Sequence, residues 1–277
     1  MYLRLGFTET TCLFYYWLKH IRKPMRKDVD DATVGWENGL INWLYTTSGF
    51  YDKSIEGSYF NFDASVCMKS DVYNKYMSQL LSIIQNINLL LCFHDIPDIV
   101  SQYKKEFEEY ISNRTISYSY GYFSNKTVFS LIANKCVLIV NPMSSLMKQQ
   151  YDSGNIQHIY NDFPDLIHIQ IVENPYTFFN SGPDNSILET ADKVCKDISQ
   201  KEFDIAIVSC GAYSPLISNY IRKTLEKDVI TLGGDLLVLF GIKAKRNNGA
   251  PYNNYWVDVP DILKPIDFMK IENGCYW

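Results

Sequence analysis

Phe203-Asp204-Ile205-Ala206-Ile207-Val208-Ser209-Cys210-Gly211-Ala212-Tyr213-Ser214-Pro215 decides the reading of this chain. Phe203 to Ser209 reads as a strand, apolar at successive positions from Ile205 to Val208 and rich in β-branched residues, as in a strand covered on both faces. It stops at Gly211, which suits a tight turn, and Pro215 suits the first turn of a helix. Leu216, Ile217, Tyr220, Ile221 and Leu225 then recur at helical spacing. A strand, a glycine turn and an amphipathic helix in that order make half of a βαβ unit.

The same grammar repeats on either side. Downstream, Val229 to Leu232 predicts a short strand, Gly233-Gly234 a turn, and Leu236 to Phe240 the opening of a helix. Upstream, Cys136-Val137-Leu138-Ile139-Val140 predicts a strand ending at Asn141-Pro142, with a helix through Leu146 and Met147. Leu166 to Val172 predicts another strand, and Ile187, Leu188, Ala191, Val194, Cys195 and Ile198 mark a helix. Apolar strands alternating with amphipathic helices predict an α/β, Rossmann-like, doubly wound and mainly parallel sheet with helices on both faces.

Before residue 135 the pattern is looser. Residues 8–22 read as a helix with Thr8 as N-cap. Residues 28–68 show no sustained period and read as short elements and loops. Ser70 or Asp71 caps a strongly amphipathic helix carrying Val72, Tyr73, Tyr76, Met77, Leu80, Leu81, Ile84 and Ile87. Leu89 to Phe93 reads as a buried strand ending at His94-Asp95-Ile96-Pro97, and a helix is predicted over about residues 97–111. No linker or repeat interrupts the chain, so residues 1–277 read as one domain. Its subdivision near residue 134 is soft, with a helix-rich part over 1–134 and a Rossmann-like part over 135–277.

Composition narrows the class. The 277 residues are 47% hydrophobic and 21% charged, values of a chain with a substantial core. Net charge is −5 and no basic stripe is long enough to follow a nucleic-acid backbone, so nucleic acid is excluded as the expected partner. The basic stretch from Lys19 to Lys27 reads as a solvated loop broken by Pro24. No apolar run reaches membrane-spanning length, and the first residues lack the pattern of a signal peptide. Seven scattered Cys without a CxxC pair read as buried thiols in a reducing compartment, and hence a cytoplasmic setting. The four His have no ligand spacing, and no Gly-x-Ser-x-Gly elbow suggests a hydrolase. The 21 Tyr are spread along the chain, which favours packing over a sugar-stacking platform.

In doubly wound sheets, ligands bind outside the carboxyl ends of the strands. Three such ends carry candidates. At Asn141-Pro142-Met143-Ser144-Ser145, two hydroxyls meet a helix N-terminus suited to phosphate, with a plain Ser N-cap as the alternative. Gly211 lets backbone approach a ligand, and Ser209, Tyr213 and Ser214 add hydroxyls. The alternative is a glycine needed only for the turn. Gly233-Gly234-Asp235 exposes backbone N–H groups and is followed by Lys243, Lys245 and Arg246, cations able to neutralise a leaving diphosphate or simply to be solvated. A fourth candidate is the opening Arg4-Leu5-Gly6-Phe7-Thr8-Glu9, where Arg4 and Glu9 bracket a glycine.

Together these segments resemble the GT-D-fold-like proteins of bacteria and viruses, relatives of the GT-D glycosyltransferases. The resemblance rests on Phe203–Tyr213, Ile230–Gly234, Leu239–Arg246, Tyr252–Trp256, Asn141–Ser145, Gln150-Tyr151, and the closing Glu272-Asn273-Gly274-Cys275-Tyr276-Trp277. Arg4, Gly6 and Glu9 resemble the family's opening signature. It implies a glycosyltransferase that moves a sugar from a nucleotide-sugar donor, a UDP-sugar being favoured, to a glycan or other acceptor. With the reading of the residues it gives donor-binding roles to Gly6, Ser144, Ser145, Gly211, Tyr213, Gly233, Gly234, Lys243 and Arg246 and catalytic roles to Arg4 and Glu9; Asp235, from its own chemistry, is a candidate catalytic base or metal ligand. The family's opening carries an acidic pair that binds a divalent metal. Here Phe7 stands where the first acid would lie, and Glu9 alone is a weak holder of Mn²⁺ or Mg²⁺. Asp235 also departs from the family, whose near relatives carry Ala after the glycine pair. The departure at Phe7 leaves a second expectation open, a catalytically degenerate module that binds a nucleotide-sugar or glycan in a surface-polysaccharide pathway.

Overall fold

The structure is a computed structural model that describes residues 2–22, 38–46, 48–57, 63–84, 88–91, 98–111, 124–245, 252–265, 268–270 and 274. It forms two compact units that interleave along the sequence. The first comprises Met1–Gly121, Thr177–Lys193 and Gly211–Asn219, the second Tyr122–Tyr176, Val194–Cys210 and Tyr220–Trp277.

The second unit is built on four parallel strands: β3 (Cys136–Val140), β4 (His168–Val172), β5 (Ile205–Val208) and β6 (Asp228–Thr231). Their order across the sheet is β6-β5-β3-β4, with Val140 beside both Val172 and Val208 and with Val208 beside Thr231. The fold is the α/β, Rossmann-like parallel arrangement that the alternating pattern predicts. Val137 and Ile139 point to one face and join Ile169, Ile205, Ile207 and Ile230 in one core cluster. Leu138, Val140, Ala206 and Val208 occupy the other face and are equally inaccessible. Burial on both faces is the physical reason β3 and β5 are apolar without alternation.

Connections in this unit obey a simple rule. From β3 the chain passes through α7 (Ser144–Asp152) and α8 (Asn155–Ile159) to β4 on one side. From β4 it returns through α9 (Ile187–Ser199) to β5 on the other side of β3, then continues through α10 (Tyr213–Lys223) to β6. Right-handed crossovers put α7 and α8 on one face of the sheet and the second-unit halves of α9 and α10 on the other. The short α11 (Asp235–Leu239) follows β6. A helix that the sequence pattern did not predict, α6 (Asn125–Ile132), leads into β3, with Ser124 as its N-cap.

The first unit holds the parallel pair β1 (Tyr2–Leu5) and β2 (Asn88–Leu91). Its helices are α1 (Phe7–Trp17), α2 (38–46), α3 (Ala64–Lys69), α4 (Asp71–Ile84) and α5 (Asp98–Ile111). Aromatic packing supplies its core. Phe14 meets Phe107 with ring centroids 5.5 Å apart, and Phe50 meets Tyr76 at 5.0 Å, both edge to face. As expected, Ser70 caps α4, its hydroxyl accepting from the Tyr73 N–H.

Two local expectations are corrected. Thr8 is not the N-cap of α1. Gly6 holds that position and Thr8 is buried inside the first turn. Nor does the basic stretch begin as a solvated loop. Leu18–Arg22 continues α1 as a π-helical turn, and Arg22 forks onto Glu106 of α5 at 2.6 and 3.2 Å. Lys23 to Lys27, Ile87 and the residues from Cys92 to Pro97 lie outside the described residues.

Candidate functional site

The strand order fixes where a ligand crevice opens. The connection leaving β3 runs to one side and the connection leaving β5 runs to the other, so the carboxyl ends of these neighbours form the topological switch point. Asn141 follows β3 there and Ser209 follows β5.

A chain of hydrogen bonds crosses this edge. The Asn141 carboxamide donates from Nδ2 to the Ser209 carbonyl at 2.5 Å and accepts the Met143 N–H on Oδ1 at 2.8 Å. The Ser209 hydroxyl donates to the carbonyl of Gly233, which sits at φ +60°, a conformation that favours glycine. Asn141, Ser209 and Gly233 thus pin the ends of β3, β5 and β6 together. The Ser209 hydroxyl, a candidate from sequence, is spent inside this chain.

Two buried polar atoms on the same edge have no hydrogen-bond partner among the described residues. One is the Ser144 hydroxyl, just after β3 and fully inaccessible. The other is Oδ1 of Asn174, two residues past the end of β4, whose Nδ2 donates to the Pro175 carbonyl at 3.2 Å. A buried acceptor left unpaired costs about 1–3 kcal/mol, so such atoms mark places where a water or ligand completes the structure. Ser144 is not the N-cap that the plain reading of the sequence offered. Met143 holds that position without a side-chain bond.

The start of α7 already has an anion. The Ser145 N–H donates to Oε1 of the exposed Glu173 at 3.2 Å. A carboxylate at a helix N-terminus is worth about 0.3–1 kcal/mol at the surface, so a phosphate arriving here competes with Glu173 and is repelled until it moves. At the β6 end, Asp235 opens α11 and is engaged within the structure. The Lys243 ammonium lies 3.2 Å from Oδ2 of the exposed Asp258. Arg246 lies outside the described residues.

The remaining candidates belong to the first unit. Gly6 is N-cap of α1, and the Glu9 carboxylate folds back so closely that a Cβ on Gly6 would collide with Oε2. The glycine makes room for the acid, which takes the place a capping side chain would fill. Arg4 stands on β1 opposite Leu90, and Phe7 opens α1; their side chains lie outside the described residues. Gly211 lies at φ +54°, and a Cβ there would strike the Ser48 carbonyl, which accepts the Ala212 N–H at 2.7 Å. Close approach is therefore needed at Gly211, but by the chain's own backbone. The Tyr213 hydroxyl is buried against Thr177 Oγ1 at 2.8 Å. Both are held by the fold.

The candidates therefore fall into two groups. Ser144, Ser145, Gly233, Gly234, Asp235 and Lys243 lie in the second unit, and Arg4, Gly6, Glu9, Gly211 and Tyr213 in the first. Asn141, Glu173 and Asn174 complete the carboxyl edge of the sheet. Asn141 sat inside a segment already singled out. Glu173 and Asn174 follow β4 without any motif, and only the strand order points to them. For a divalent metal the residues fit poorly. Glu9 is a single carboxylate at the positive end of a helix, and no three His, Cys, Asp or Glu side chains gather among the described residues. No helix among the described residues is long and apolar enough to cross a membrane. No protein-family model, curated protein or solved structure matches the chain.

Proposed function

We propose that this chain is a glycosyltransferase that takes a sugar from a nucleotide-sugar donor, a UDP-sugar being favoured, and passes it to a glycan or other acceptor. The observation that carries this reading is the pair of buried atoms without a partner among the described residues, Ser144 Oγ and Asn174 Oδ1, on the carboxyl edge of a doubly wound parallel sheet. In this reading the Ser144 hydroxyl donates to a diphosphate oxygen, and the Asn174 acceptor takes a hydroxyl or imide N–H of the nucleoside. Backbone N–H groups near Gly233 and Gly234 hold the diphosphate. The acceptor oxygen attacks the anomeric carbon while the bond to the diphosphate breaks. Asp235 takes the acceptor's proton, and Lys243 offsets the charge that grows on the nucleoside diphosphate. The resemblance assigns Arg4 and Glu9 catalytic parts, and a cytoplasmic setting suits cysteines that form no disulfide among the described residues; no step above calls on a metal.

A second reading is a degenerate module that binds the donor or a glycan without turning it over. Glu173 on the Ser145 N–H favours it, because the chain supplies its own anion where a donor phosphate would sit. Calorimetry and thermal shift across UDP-, GDP- and dTDP-sugars test the first step, and donor hydrolysis or transfer with and without Mn²⁺ tests the second. Absence of stabilisation by every nucleotide and nucleotide-sugar sinks the transferase reading and leaves only a glycan-binding module. Binding without turnover selects the second.

A further inference from the structure

Asp52, in the first unit, is only 1% exposed, the most buried carboxylate among the described residues. Its Oδ1 is satisfied by the turn that follows, accepting from the Ser54 N–H at 2.9 Å and from the Ser54 hydroxyl at 2.7 Å. Its Oδ2 is inaccessible and has no hydrogen-bond partner among the described residues. The ion pairs among the described residues of this unit lie elsewhere, joining Arg22 to Glu106, Lys105 to Glu109 and Lys193 to Asp184. A buried charge is costly unless it is paired, so Oδ2 marks a place where a positive ligand completes the structure.

The neighbourhood has the sign and the rigidity of a cation site. Burial, followed by the charges of Asp52 and Asp63, pushes the fully buried Cys67 thiol up to about 12, so this thiol is neutral at pH 7. The fully buried Tyr45 hydroxyl is raised as well, by burial first and, among lesser causes, by the Asp52 charge. Asp63 is exposed and is partly offset by Lys69. Asp52 is therefore the charge that the fold leaves uncompensated, among groups that stay neutral. Its backbone is held by a strained residue. Phe179 sits at φ +53°, a left-handed conformation that an aromatic residue rarely adopts. Its N–H donates to the Tyr45 carbonyl at 2.6 Å, and its carbonyl accepts the Asp52 N–H at 2.8 Å. Strain of this kind persists where the surroundings impose it, and it gathers at ligand clamps.

We propose that Asp52 Oδ2 holds a monovalent metal cation, sodium or potassium, buried inside the first unit. One carboxylate among neutral groups balances one positive charge. A divalent ion would leave a buried excess of charge, and it wants several oxygen ligands, whereas no three His, Cys, Asp or Glu side chains gather among the described residues. The ion ties the segment around Asp52 to the folded unit and so couples stability to the salt present. The proposal does not depend on the nucleotide-sugar reading.

The test uses the intact chain, dialysed into tetramethylammonium chloride, whose cation is too large to enter a buried site. Sodium or potassium chloride then replaces it at a constant ionic strength of about 0.2 M, which holds surface screening fixed. The unfolding midpoint by scanning calorimetry should rise saturably, by about 3–5 °C at ten times the dissociation constant. The salt that acts at the lower concentration assigns sodium or potassium. Asp52→Asn keeps the shape and removes the charge; its midpoint should be equal in all three chlorides, with the circular dichroism spectrum unchanged. Relaxation of sodium-23 or potassium-39 reads the site on the native chain without any variant, and the favoured ion should show saturable broadening. The claim is therefore testable even if Asp52→Asn fails to fold. Equal midpoints of the native chain in the three chlorides, as a carboxyl satisfied by a proton or a water would give, overturn the proposal. So do a salt response that survives in Asp52→Asn, a response to magnesium chloride alone, and the absence of saturable broadening.

Discussion

Replacing Gly211 by alanine separates two roles that sequence alone left open. If Gly211 is there to let a ligand approach, Gly211→Ala removes donor binding and leaves stability nearly untouched. The structure argues the opposite. At φ +54° any residue with a Cβ sits in the left-handed region, which costs roughly 1–2 kcal/mol. The added Cβ also strikes the Ser48 carbonyl. Backbone must then move, and the bond from the buried Ala212 N–H to Ser48 is lost or stretched. A buried donor left unpaired costs about 1–3 kcal/mol more. The expected loss is therefore about 2–5 kcal/mol, read as a lower urea midpoint at unchanged slope. Gly211→Asn refines the result, since Asn tolerates the left-handed region but keeps the Cβ. It should fall between wild type and Ala if conformation dominates, and match Ala if the collision dominates. A loss below about 0.5 kcal/mol for Gly211→Ala, the range of ordinary surface substitutions, would refute the reasoning and return Gly211 to the ligand.

Other perturbations test neighbouring claims. Glu173→Gln removes the carboxylate at the start of α7; it should cost about 0.3–1 kcal/mol in urea and tighten binding of nucleoside diphosphates measured by calorimetry. Tyr213→Phe should cost about 0.5–1.5 kcal/mol, since Thr177 keeps the Gly49 carbonyl as a partner, with donor affinity unchanged. Loss of affinity without loss of stability would restore Tyr213 as a ligand residue. Burial, aided by the nearby Asp52 charge, pushes the Cys67 thiol up to about 12. The unfolded thiol ionises near its ordinary value of about 8.5, so its contribution is complete below that pH and is lost as pH rises toward 12. Urea midpoints should therefore fall above about pH 9, less steeply in Cys67→Ala, and native Cys67 should resist alkylation at pH 8.

β3 and β5 were legible because both are buried on both faces, which leaves an uninterrupted apolar run in the sequence, whereas β4, with His168 and Gln170 less buried, shows as alternation. β1 was not, because four residues including Arg4 carry no period, and its pairing with β2 bridges more than eighty residues. The helices α6 and α8 are too short for a periodic signal, and the π-helical turn has no local signature. The site was harder to read than the fold for a related reason. Gly211 looks like a ligand glycine because the need for close approach is real, but the group that approaches is Ser48, far away in sequence and unmarked by any motif.

The segments that carried the resemblance to GT-D proteins invite the same scrutiny. Gln150, almost fully buried, donates to the carbonyls of Gly241 at 3.2 Å and Tyr255 at 3.0 Å, and Asn155 donates to its Oε1 at 2.8 Å. Gly241 sits at φ +67°, and a Cβ there would collide with Ile159 and crowd the Gln150 amide. Asn253 reaches the His158 carbonyl at 3.1 Å, and Tyr255 stacks on the His158 ring at 4.2 Å. Gln150-Tyr151, Phe240-Gly241-Ile242 and Tyr252–Trp256 therefore form one lock, buried at Gln150 and exposed at Asn253 and Tyr255, that holds the segments around Gly241 and Tyr255 to α7 and α8. A lock of this kind constrains sequence as tightly as a ligand does, because each buried amide must find its partner. These segments accordingly support a fold more strongly than a substrate. The functional weight moves to Ser144 and Asn174, whose buried atoms have no partner among the described residues.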